Sequence, residues 1–549
     1  MGWKQSGDTV SAMIGALLPG ADAMSRSLNR PSRLAVACLS ALLMLGPQTR
    51  SHAQVNLPSL GDAVSDEFSI SNERRIGDQV MRSIKLDPDY LDDPLLFEYI
   101  SNLWQPLVGA ATRTGNLGED VKERFAWEPF LVRDRSVNAF ALPGGYVGVH
   151  LGLIAMTGTR DELASVLAHE LSHVTQRHIA RSVAQESRNS LLATAAMLAG
   201  LLVAVKGGSA DVANAAMVGG QAAAQQASLN FSRDMEREAD RVGFGVLTEA
   251  GYAGTGMYAM FERLEQANHL NDSGAYPYLR THPLTSERIG DARARLGTGS
   301  WERPRSAAEH VLMAARSRVL MDPRAESWAQ LQNLDAGART VDGKSFEQLG
   351  ARYASALASI KMRNFDRAEA ALGAAYFELA RLGSDSRGLR ALHYLAAELA
   401  VARGRPQAAL TALGQLDGER SRVMLLERAK IGMTDPDLAT ARDAADGLQT
   451  YVAVNNRDAT AWNQLAQLWE RLNQPLRAVR AQGEARAAVG DLGGAIDRLR
   501  SGLRQSRSRD SDQIEASVID ARLRTLIYEQ RQLLAEMYPR GVPPGAERP

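Results

Sequence analysis

Apolar residues recur at intervals of three and four positions through a segment that begins near residue 159, and this spacing predicts a helix. Thr159 and Glu162 have the spacing of a capping box, which marks the first turn of a helix. Because neither Gly nor Pro occurs in residues 161–188, we predict one uninterrupted helix over that range. The apolar positions that carry the pattern are Leu163, Val166, Leu167, Leu171, Val174 and Ile179.

The pattern changes from helical to extended just before this helix. Residues 54–135 have a mainly helical pattern, whereas residues 130–132 and 146–149 are short runs typical of strands. The segment between the two runs contains Gly144 and Gly145, which favour a turn or a close backbone approach. A strand at this position could pair with an extended peptide through main-chain hydrogen bonds. A plain structural hairpin is the alternative.

An unusually apolar region follows the predicted helix. Residues 191–205 are almost entirely apolar, and residues 212–229 are small and weakly polar. The apolar run is shorter than the roughly 20 residues that a membrane-spanning helix needs. We therefore expect a buried helical hairpin, or a flap beside a cleft, rather than a membrane span.

Beyond residue 300 the chain is rich in Ala, Leu and Arg and has a helical pattern throughout. The order of large and small residues predicts tetratricopeptide-type helix pairs, in which small residues permit close crossing and large ones fill the gaps. A degenerate copy is expected between Ala408 and Ala478, and an irregular helical bundle is the alternative. The positions that match, from the clearest copy to the weakest, are Trp462, Leu465, Ala466, Trp469, Ala478 and Ala485; Leu392, Leu395, Ala396, Leu399 and Ala408; Ala356, Phe365 and Ala368.

Residues 1–53 have the features of a secretory signal peptide. Three arginines precede an apolar run at residues 34–46, and Ala53 ends a small-x-small cleavage pattern. Cleavage there would remove Cys38, the sole cysteine of the sequence, so the mature protein would have neither disulfides nor thiolate ligands. Export without cysteine fits the periplasm of a bacterium. Translation from Met24, lipidation at Cys38 and an uncleaved signal that tethers the protein are the alternatives.

The amino-acid composition indicates which class of protein this is and which kinds of partner to expect. A sequence of 549 residues, 45% hydrophobic and 23% charged, is typical of a globular protein with two or three domains. Lys and Arg together number 63, as do Asp and Glu. Without a basic excess, we expect no nucleic-acid partner. We expect at most peripheral contact with a membrane.

Residues 169–173 read His-Glu-Leu-Ser-His, and this motif lies within the predicted helix. His169 and His173 are four positions apart, so their imidazoles share one helix face and can bind one metal ion. Two imidazoles and one carboxylate suit zinc and leave a fourth position for water. Glu170 is then placed to take a proton from that water. Two histidines in an ordinary amphipathic helix are the alternative.

The third ligand must come from another element, and an acidic segment at residues 236–240 offers candidates. Glu236 and Asp240 are four positions apart and therefore share a helix face. Glu236 can bind the metal while Asp240 accepts the ring N–H of a liganding histidine and selects its tautomer. Glu238 points elsewhere on a helix and is the weaker candidate. The spacing alone leaves the choice among these acids open.

These motifs carry a resemblance to a known family. Residues 169–173, followed by Ser232, Arg233 and the acidic segment 236–240, resemble the gluzincin family of the CAAX-processing proteases and the HtpX heat-shock protease. The resemblance covers residues 66–300 and implies that Glu236 is the third zinc ligand. The chain departs from the membrane-integral members in lacking a convincing spanning segment.

The resemblance also bears on His282, which lies in a Thr-His-Pro sequence six residues before Arg288. In a zinc peptidase, such a histidine could donate a hydrogen bond to the oxyanion of the reacting substrate. It could instead occupy the open metal position and hold the enzyme latent. A loop histidine that caps a helix is the third interpretation. His178 lies off the ligand face of the predicted helix, and we interpret it as structural.

The predicted fold is mainly α (α+β): a zincin-like helical metalloprotease domain with a small β-sheet, followed by an α-solenoid of tetratricopeptide-type repeats. The predicted segments are the signal peptide at 1–53, the zinc metalloprotease domain at 54–300, a helical connector at 301–345, the repeat domain at 346–540 and a tail at 541–549.

An exported N-terminus, the segment 138–149 and C-terminal repeats are similar to those of periplasmic members of the gluzincin family. The resemblance implies a periplasmic endopeptidase with one Zn²⁺ per chain, acting in quality control or assembly of outer-membrane proteins. Its substrates would be misassembled outer-membrane proteins, and its repeats would bind clients or the assembly machinery. A periplasmic chaperone or adaptor, with repeats that bind clients and a latent peptidase site, is the alternative.

Overall fold

The computed structural model describes residues 69–185, 233–270, 276–298, 307–334, 345–383, 385–416, 418–506 and 513–537. Predictions for the signal peptide, for residues 191–229 and for the tail lie outside the described residues.

Ten helices and four strands form the described residues from 70 to 295. Several of these helices begin at a capping side chain; Thr159, for example, accepts a hydrogen bond from the Glu162 amide. In chain order the helices are α1 (Ile70–Lys85), α2 (Pro94–Arg113), α3 (Glu119–Arg124), α4 (Leu151–Met156), α5 (Arg160–Thr175), α6 (His178–Gln185), α7 (Arg233–Glu249), α8 (Thr255–Leu270), α9 (Pro277–Thr281) and α10 (Ser286–Arg295).

The four strands form one mixed sheet in the order β1-β2-β4-β3. Strands β2 and β4 are parallel, and the other two neighbouring pairs are antiparallel. The two strands that the sequence predicts near residues 130 and 146 are confirmed. The strands are β1 (Tyr90–Leu91), β2 (Glu128–Val132), β3 (Ala139–Leu142) and β4 (Tyr146–His150).

Strand β3 occupies a position that the sequence pattern assigns to a connection. The turn between β3 and β4 is therefore much shorter than predicted, and both Gly144 and Gly145 adopt positive φ there, at 80° and 88°. β3 lies at the end of the strand order and packs against α5. One edge of the sheet thus runs alongside the helix that carries the two histidines.

Alternating side chains of the sheet enter two different apolar clusters. Ala139, Ala141 and Val149 pack with α2 and α5 on one face. Phe130 and Phe140 pack against α1 on the other face. Burial on both faces explains why these strands are apolar throughout rather than alternating with polar residues.

The predicted uninterrupted helix over residues 161–188 is wrong. Helix α5 ends at Thr175 and α6 begins at His178. Arg177 lies between them with φ of 52°, a left-handed conformation that a helix cannot continue through. Glu73 of α1 accepts a hydrogen bond of 3.0 Å from the Arg177 side chain. This tertiary contact stabilises a break that the local sequence does not signal.

The remaining described residues are helical, and successive helices pack as pairs. The α-solenoid prediction is confirmed as an architecture, and the expected degenerate copy corresponds to the pair α17–α18. The assignment of the pairs to the tetratricopeptide type, and the domain boundaries, remain predictions. The helices are α11 (Ala308–Leu320), α12 (Ala325–Gln332), α13 (Ser345–Lys361), α14 (Phe365–Leu382), α15 (Ser386–Ala402), α16 (Pro406–Gly414), α17 (Arg422–Thr434), α18 (Leu438–Val454), α19 (Ala459–Arg471), α20 (Pro475–Ala488), α21 (Leu492–Ser506) and α22 (Gln513–Met537).

Within the described ranges, the helices are too short or too polar for any of them to cross a membrane.

Candidate metal centre

The two histidines of the motif converge on one point inside the N-terminal domain. His169 and His173 lie one turn apart on α5, and their Nε2 atoms are 3.0 Å apart. Both side chains are buried. Two nitrogens that bind one zinc ion at tetrahedral angles lie about 3.3 Å apart, given Zn–N bonds of about 2.0–2.1 Å. The observed spacing is close to what a shared ion requires.

Helix α7 brings the acidic segment onto the same point. α7 crosses α5 at Gly243, where an added Cβ would lie 3.2–3.3 Å from the backbone of Ala168 and His169. Positions 236, 240 and 243 share one face of α7, so close crossing at Gly243 directs both acids toward α5. The Glu236 carboxylate lies 3.4 Å from the Nε2 atoms of His169 and His173.

Asp240 lies behind His169 rather than beside the converging atoms. Its Oδ1 is 2.9 Å from Nδ1 of His169, on the opposite side of the ring from Nε2. A proton on Nδ1 leaves Nε2 free to bind a metal. The geometry therefore favours Glu236 as the ligand, which the family resemblance implies, and Asp240 as the group that orients His169.

His282 adds a fourth donor to the same cluster. Its Nδ1 is 3.3 Å from Nε2 of His169 and 3.0 Å from Oε1 of Glu236. The backbone of His282 caps α9, but its side chain is buried and stacks on Tyr278. The interpretation of His282 as an ordinary capping residue therefore does not account for its side chain.

Donor atoms of His169, His173, Glu236 and His282 all lie within 4.8 Å of one another. Burial opposes the charge on Glu236, yet the three histidines hold its pKa well below the usual value. Burial likewise lowers the pKa of His169, but Asp240 and Glu236 outweigh it and raise that pKa to about 9. The negative field of these carboxylates, which favours a proton on His169, also favours a metal cation. The residues therefore fit a zinc ion by donor chemistry, spacing and charge.

Glu170 lies next to the cluster without belonging to it. Its side chain is fully buried, and its Oε1 is 3.5 Å from Nε2 of His282. Burial raises the pKa of Glu170, against the opposing effects of His282, His169 and the backbone amide of Ala141 in β3. Glu170 is thus a buried carboxyl group between the metal cluster and the sheet edge, and its raised pKa suits proton transfer.

Arg288 of α10 offsets part of the negative charge of the two carboxylates, and sequence reasoning assigned it no role. It donates two hydrogen bonds to Asp240, of 2.7 and 2.8 Å, and lies 2.8 Å from Oε2 of Glu236. Its Nη1 also donates to the carbonyl of Pro283, which holds the loop that carries His282. An arginine in the first turn of a helix carries no signal of burial in its own sequence context.

His178 lies outside the metal cluster, in agreement with its sequence interpretation, but it contacts one of the candidate ligands. It is buried in contact with His173, with 2.9 Å between their Nδ1 atoms, and its Nε2 lies 3.1 Å from Glu238. The break at Arg177 changes the direction of the chain, so the face calculated for a continuous helix does not apply. Glu238 does point away from the cluster, as the spacing predicts.

Comparison with known proteins agrees with this arrangement. Residues 116–296 match peptidase family M48, and this span contains the four cluster residues and Glu170. The beta-barrel assembly-enhancing protease of Escherichia coli strain K12 is 30% identical over 477 residues, which cover 86% of this chain and 92% of that protein.

Two further relatives align over shorter spans. A Vibrio cholerae protein, named provisionally as a beta-barrel assembly-enhancing protease, is 35% identical over 347 residues, or 61% of this chain and 65% of that protein. The mitochondrial metalloendopeptidase OMA1 of Schizosaccharomyces pombe is 32% identical over 211 residues, or 38% of this chain and 53% of that protein. A buried His-His-Glu-His cluster, the match to the family profile and a relative aligned over most of its length lead to one conclusion: the chain belongs to peptidase family M48.

Proposed function

We propose that this protein is a zinc-dependent endopeptidase that binds one Zn²⁺ ion through His169, His173 and Glu236. The observation that carries the proposal is the buried convergence of these three side chains beside the carboxyl group of Glu170. When bound, zinc lowers the pKa of its water toward about 7 and polarises a carbonyl group.

Glu170 is the proposed general base and acid. It takes a proton at its carboxylate from the attacking water and later gives that proton to the leaving amine. A carboxyl group with an ordinary pKa would hold the proton too weakly for the second role. Burial raises the pKa of Glu170 above its usual value, which supports the second role.

Asp240 and His282 have supporting roles in this proposal. Asp240 keeps the proton of His169 on Nδ1 and so keeps Nε2 available as a ligand. His282 directs Nδ1 at the candidate ligand atoms of His169 and Glu236. This position favours His282 as a fourth metal ligand over His282 as a donor to the oxyanion. We propose that His282 holds the resting enzyme latent.

The edge strand β3 is the proposed binding place for the substrate backbone. It ends the strand order among the described strands, and the amide of Ala141 faces Glu170. An extended peptide that pairs with β3 through main-chain hydrogen bonds would lie between the sheet and the metal cluster. Main-chain pairing does not depend on the side chains of the substrate, which suits a protease that acts on unfolded segments of many proteins.

The biological setting follows from the predicted signal peptide and from the names of the relatives. We propose that the mature protein works in the periplasm and cleaves misassembled outer-membrane proteins, while the helix pairs bind clients or assembly machinery. The alternative is a chaperone or adaptor that works through its repeats and keeps a latent peptidase site. Helix-pair solenoids form extended concave binding surfaces, which supports either setting.

Replacing Glu170 with Gln tests the catalytic proposal. The purified variant should bind zinc like the wild type but lose casein-cleaving activity by several orders of magnitude, because the amide cannot accept the proton. Glu427→Gln is a matched control, since Glu427 is a buried glutamate of α17 with a raised pKa. Full activity of Glu170→Gln would refute the assigned role.

The same Glu170→Gln variant distinguishes the protease proposal from the chaperone alternative. If Glu170→Gln rescues an envelope-assembly defect in cells as well as the wild type does, the repeats perform the main work. Failure to rescue, with normal protein abundance, supports the protease.

A further inference from the structure

His178 lies directly behind a metal-ligand candidate and is buried with it. Its Nδ1 is 2.9 Å from Nδ1 of His173, and its Nε2 is 3.1 Å from Oε2 of Glu238. Arg181, one turn along α6, donates a hydrogen bond of 2.8 Å to the same Glu238 oxygen. A continuous line of polar contacts therefore runs from the cluster through two imidazoles to a carboxylate.

The protons along this line can be assigned. His173 directs Nε2 at the cluster, and a ring nitrogen that binds a metal carries no proton. The proton of a neutral His173 then resides on Nδ1, and the facing Nδ1 of His178 must accept it. His178 carries its own proton on Nε2, where Glu238 accepts. Each contact then has one donor and one acceptor, whereas the reverse tautomer of either ring would leave like groups facing each other.

The backbone adopts a strained conformation that makes this contact possible. In a continuous helix, position 178 would lie about 140° around the axis from position 173, since each residue turns the helix by about 100°. The break at Arg177, with φ of 52°, returns His178 to the side of His173. Glu73 binds the Arg177 side chain at 3.0 Å. A left-handed non-glycine residue next to a candidate site is the kind of outlier that accompanies function.

We propose that His178 and Glu238 form a relay that holds His173 in its metal-binding tautomer and orientation. The inference rests on the proposed function, because His173 needs a set tautomer only as a metal ligand. Neither residue touches the reacting atoms, so both are positioning residues. Asp240 orients His169 directly, whereas His173 is oriented through a second imidazole.

Two substitutions of His178 in the purified full-length chain test the relay. His178→Gln keeps an acceptor for His173 and a donor for Glu238, whereas His178→Phe fills the space and offers neither. Zinc affinity is measured by competition with a chelating dye. Loss of such a supporting hydrogen bond weakens metal binding by about 10–100-fold. We expect that loss for His178→Phe and near wild-type affinity for His178→Gln. Equal affinity in both variants, whether normal or weakened, would overturn the relay.

A double-mutant cycle tests the order of the relay. Glu238→Ala should weaken zinc binding in the wild-type background, because the tautomer of His178 is no longer selected. In the His178→Phe background, Glu238→Ala should have no further effect on zinc affinity, because its contribution passes through His178. Effects that multiply would show that the two residues act independently, and would contradict the proposal.

His310→Gln is the matched control for loss of a buried histidine. His310 is as buried as His178 but contacts Tyr99 and the Thr157 carbonyl, away from the cluster. The His310→Gln variant should be less stable than the wild type and should bind zinc with the same affinity. If it lost as much zinc affinity as His178→Phe, the effect of His178→Phe would be general destabilisation, and the relay would be overturned. A wild type that binds no zinc would overturn both proposals. Normal zinc affinity in His178→Phe, with active wild type, would overturn the relay alone.

Discussion

At the scale of single residues, the buried carboxylates of the metal cluster carry more negative charge than the nearby arginine offsets. Glu236 and Asp240 are buried, and the surrounding histidines and Arg288 hold the pKa values of both carboxyl groups low despite burial. One arginine therefore faces two carboxylates. The resulting excess of negative charge favours a divalent cation among neutral imidazoles, and such a cation would satisfy the converging donor atoms.

Substitution of His282 by Ala tests whether this residue competes for the metal. If it occupies the fourth position, its removal should raise turnover of casein severalfold, or cause self-cleavage, while zinc stays bound. If it donates to the oxyanion instead, turnover should fall on the order of a hundredfold. Turnover is measured beside His393→Ala, a histidine of the repeat region. A rate equal to wild type would leave His282 without either role.

Sequence reasoning identified the candidate ligands and Asp240 as a support for one of them, but not the contributions of Arg288 and His178. His169 and His173 follow from helical spacing alone, because both lie on one helix. Spacing could not choose between Glu236 and Asp240, since both share a face of α7 and their separation from α5 depends on tertiary packing. Arg288 was assigned no role and His178 was assigned a structural one, because their contacts arise from a loop and a helix break that leave no periodic pattern.

At the scale of elements, the site depends on the close crossing of α5 and α7. Gly243 of α7 lies against the backbone of Ala168 and His169, with no space for a larger side chain. Gly245, two positions along the same helix, has no atoms within 4 Å of an added Cβ. The two glycines differ in what they contact, and so permit a controlled test.

Gly243→Val should push α7 away from α5 and carry Glu236 out of reach of the histidines. Overpacking of this kind costs about 1–3 kcal/mol of stability, and we expect zinc affinity to fall at least tenfold, the scale for disturbing groups that orient a ligand. Gly245→Val should leave zinc affinity unchanged. Chelator competition measures both variants. Equal affinities would mean that the crossing does not position Glu236.

Elements with strong periodicity were predicted well, and those set by tertiary contacts were not. The predicted helix around residue 170 begins at Thr159 as its capping box indicates. Its end was missed because Glu73 of α1, which is distant in sequence, stabilises the break through Arg177. Strand β3 was missed because four apolar residues before Pro143 have neither length nor alternation to mark a strand.

At the scale of the whole molecule, ion pairs join helices beyond residue 307 to the start of α2. Three acids at the start of α2 each pair with an arginine from a different helix beyond residue 307. These pairs are Arg316 with Asp93, Arg390 with Glu98, and Arg422 with Asp92. Helices α11, α15 and α17 are therefore tied directly to the start of α2. The sequence predicts helix pairs from their periodicity, but it contains no local signal for these long-range contacts.

Stability should fall as the solution becomes acidic, because several histidines are buried in neutral form. Burial lowers the pKa of His150 and of His310 to about 4, from 6.5 in the unfolded chain. Below pH 6.5 the unfolded chain therefore binds protons that the folded chain does not. The stability present above that pH is lost progressively as the pH falls toward 4.

Urea unfolding at pH 7.5 and pH 5.5 checks this expectation. Each such histidine should cost about 1 kcal/mol of stability between the two pH values. His310→Gln should reduce the pH dependence by that amount, since glutamine does not titrate. A variant with the same pH dependence as wild type, or a protein more stable at pH 5.5, would contradict the account.

Zinc content of the purified chain tests the central claim most directly. Metal analysis should find one zinc ion per wild-type chain and a small fraction of that in Glu236→Gln, because an amide is a far weaker ligand than a carboxylate. Asp234→Asn, at an exposed acid two residues earlier that pairs with Arg237, should keep the full content. Stoichiometric zinc in Glu236→Gln, or none in the wild type, would contradict the assignment of this cluster as the metal centre of the enzyme.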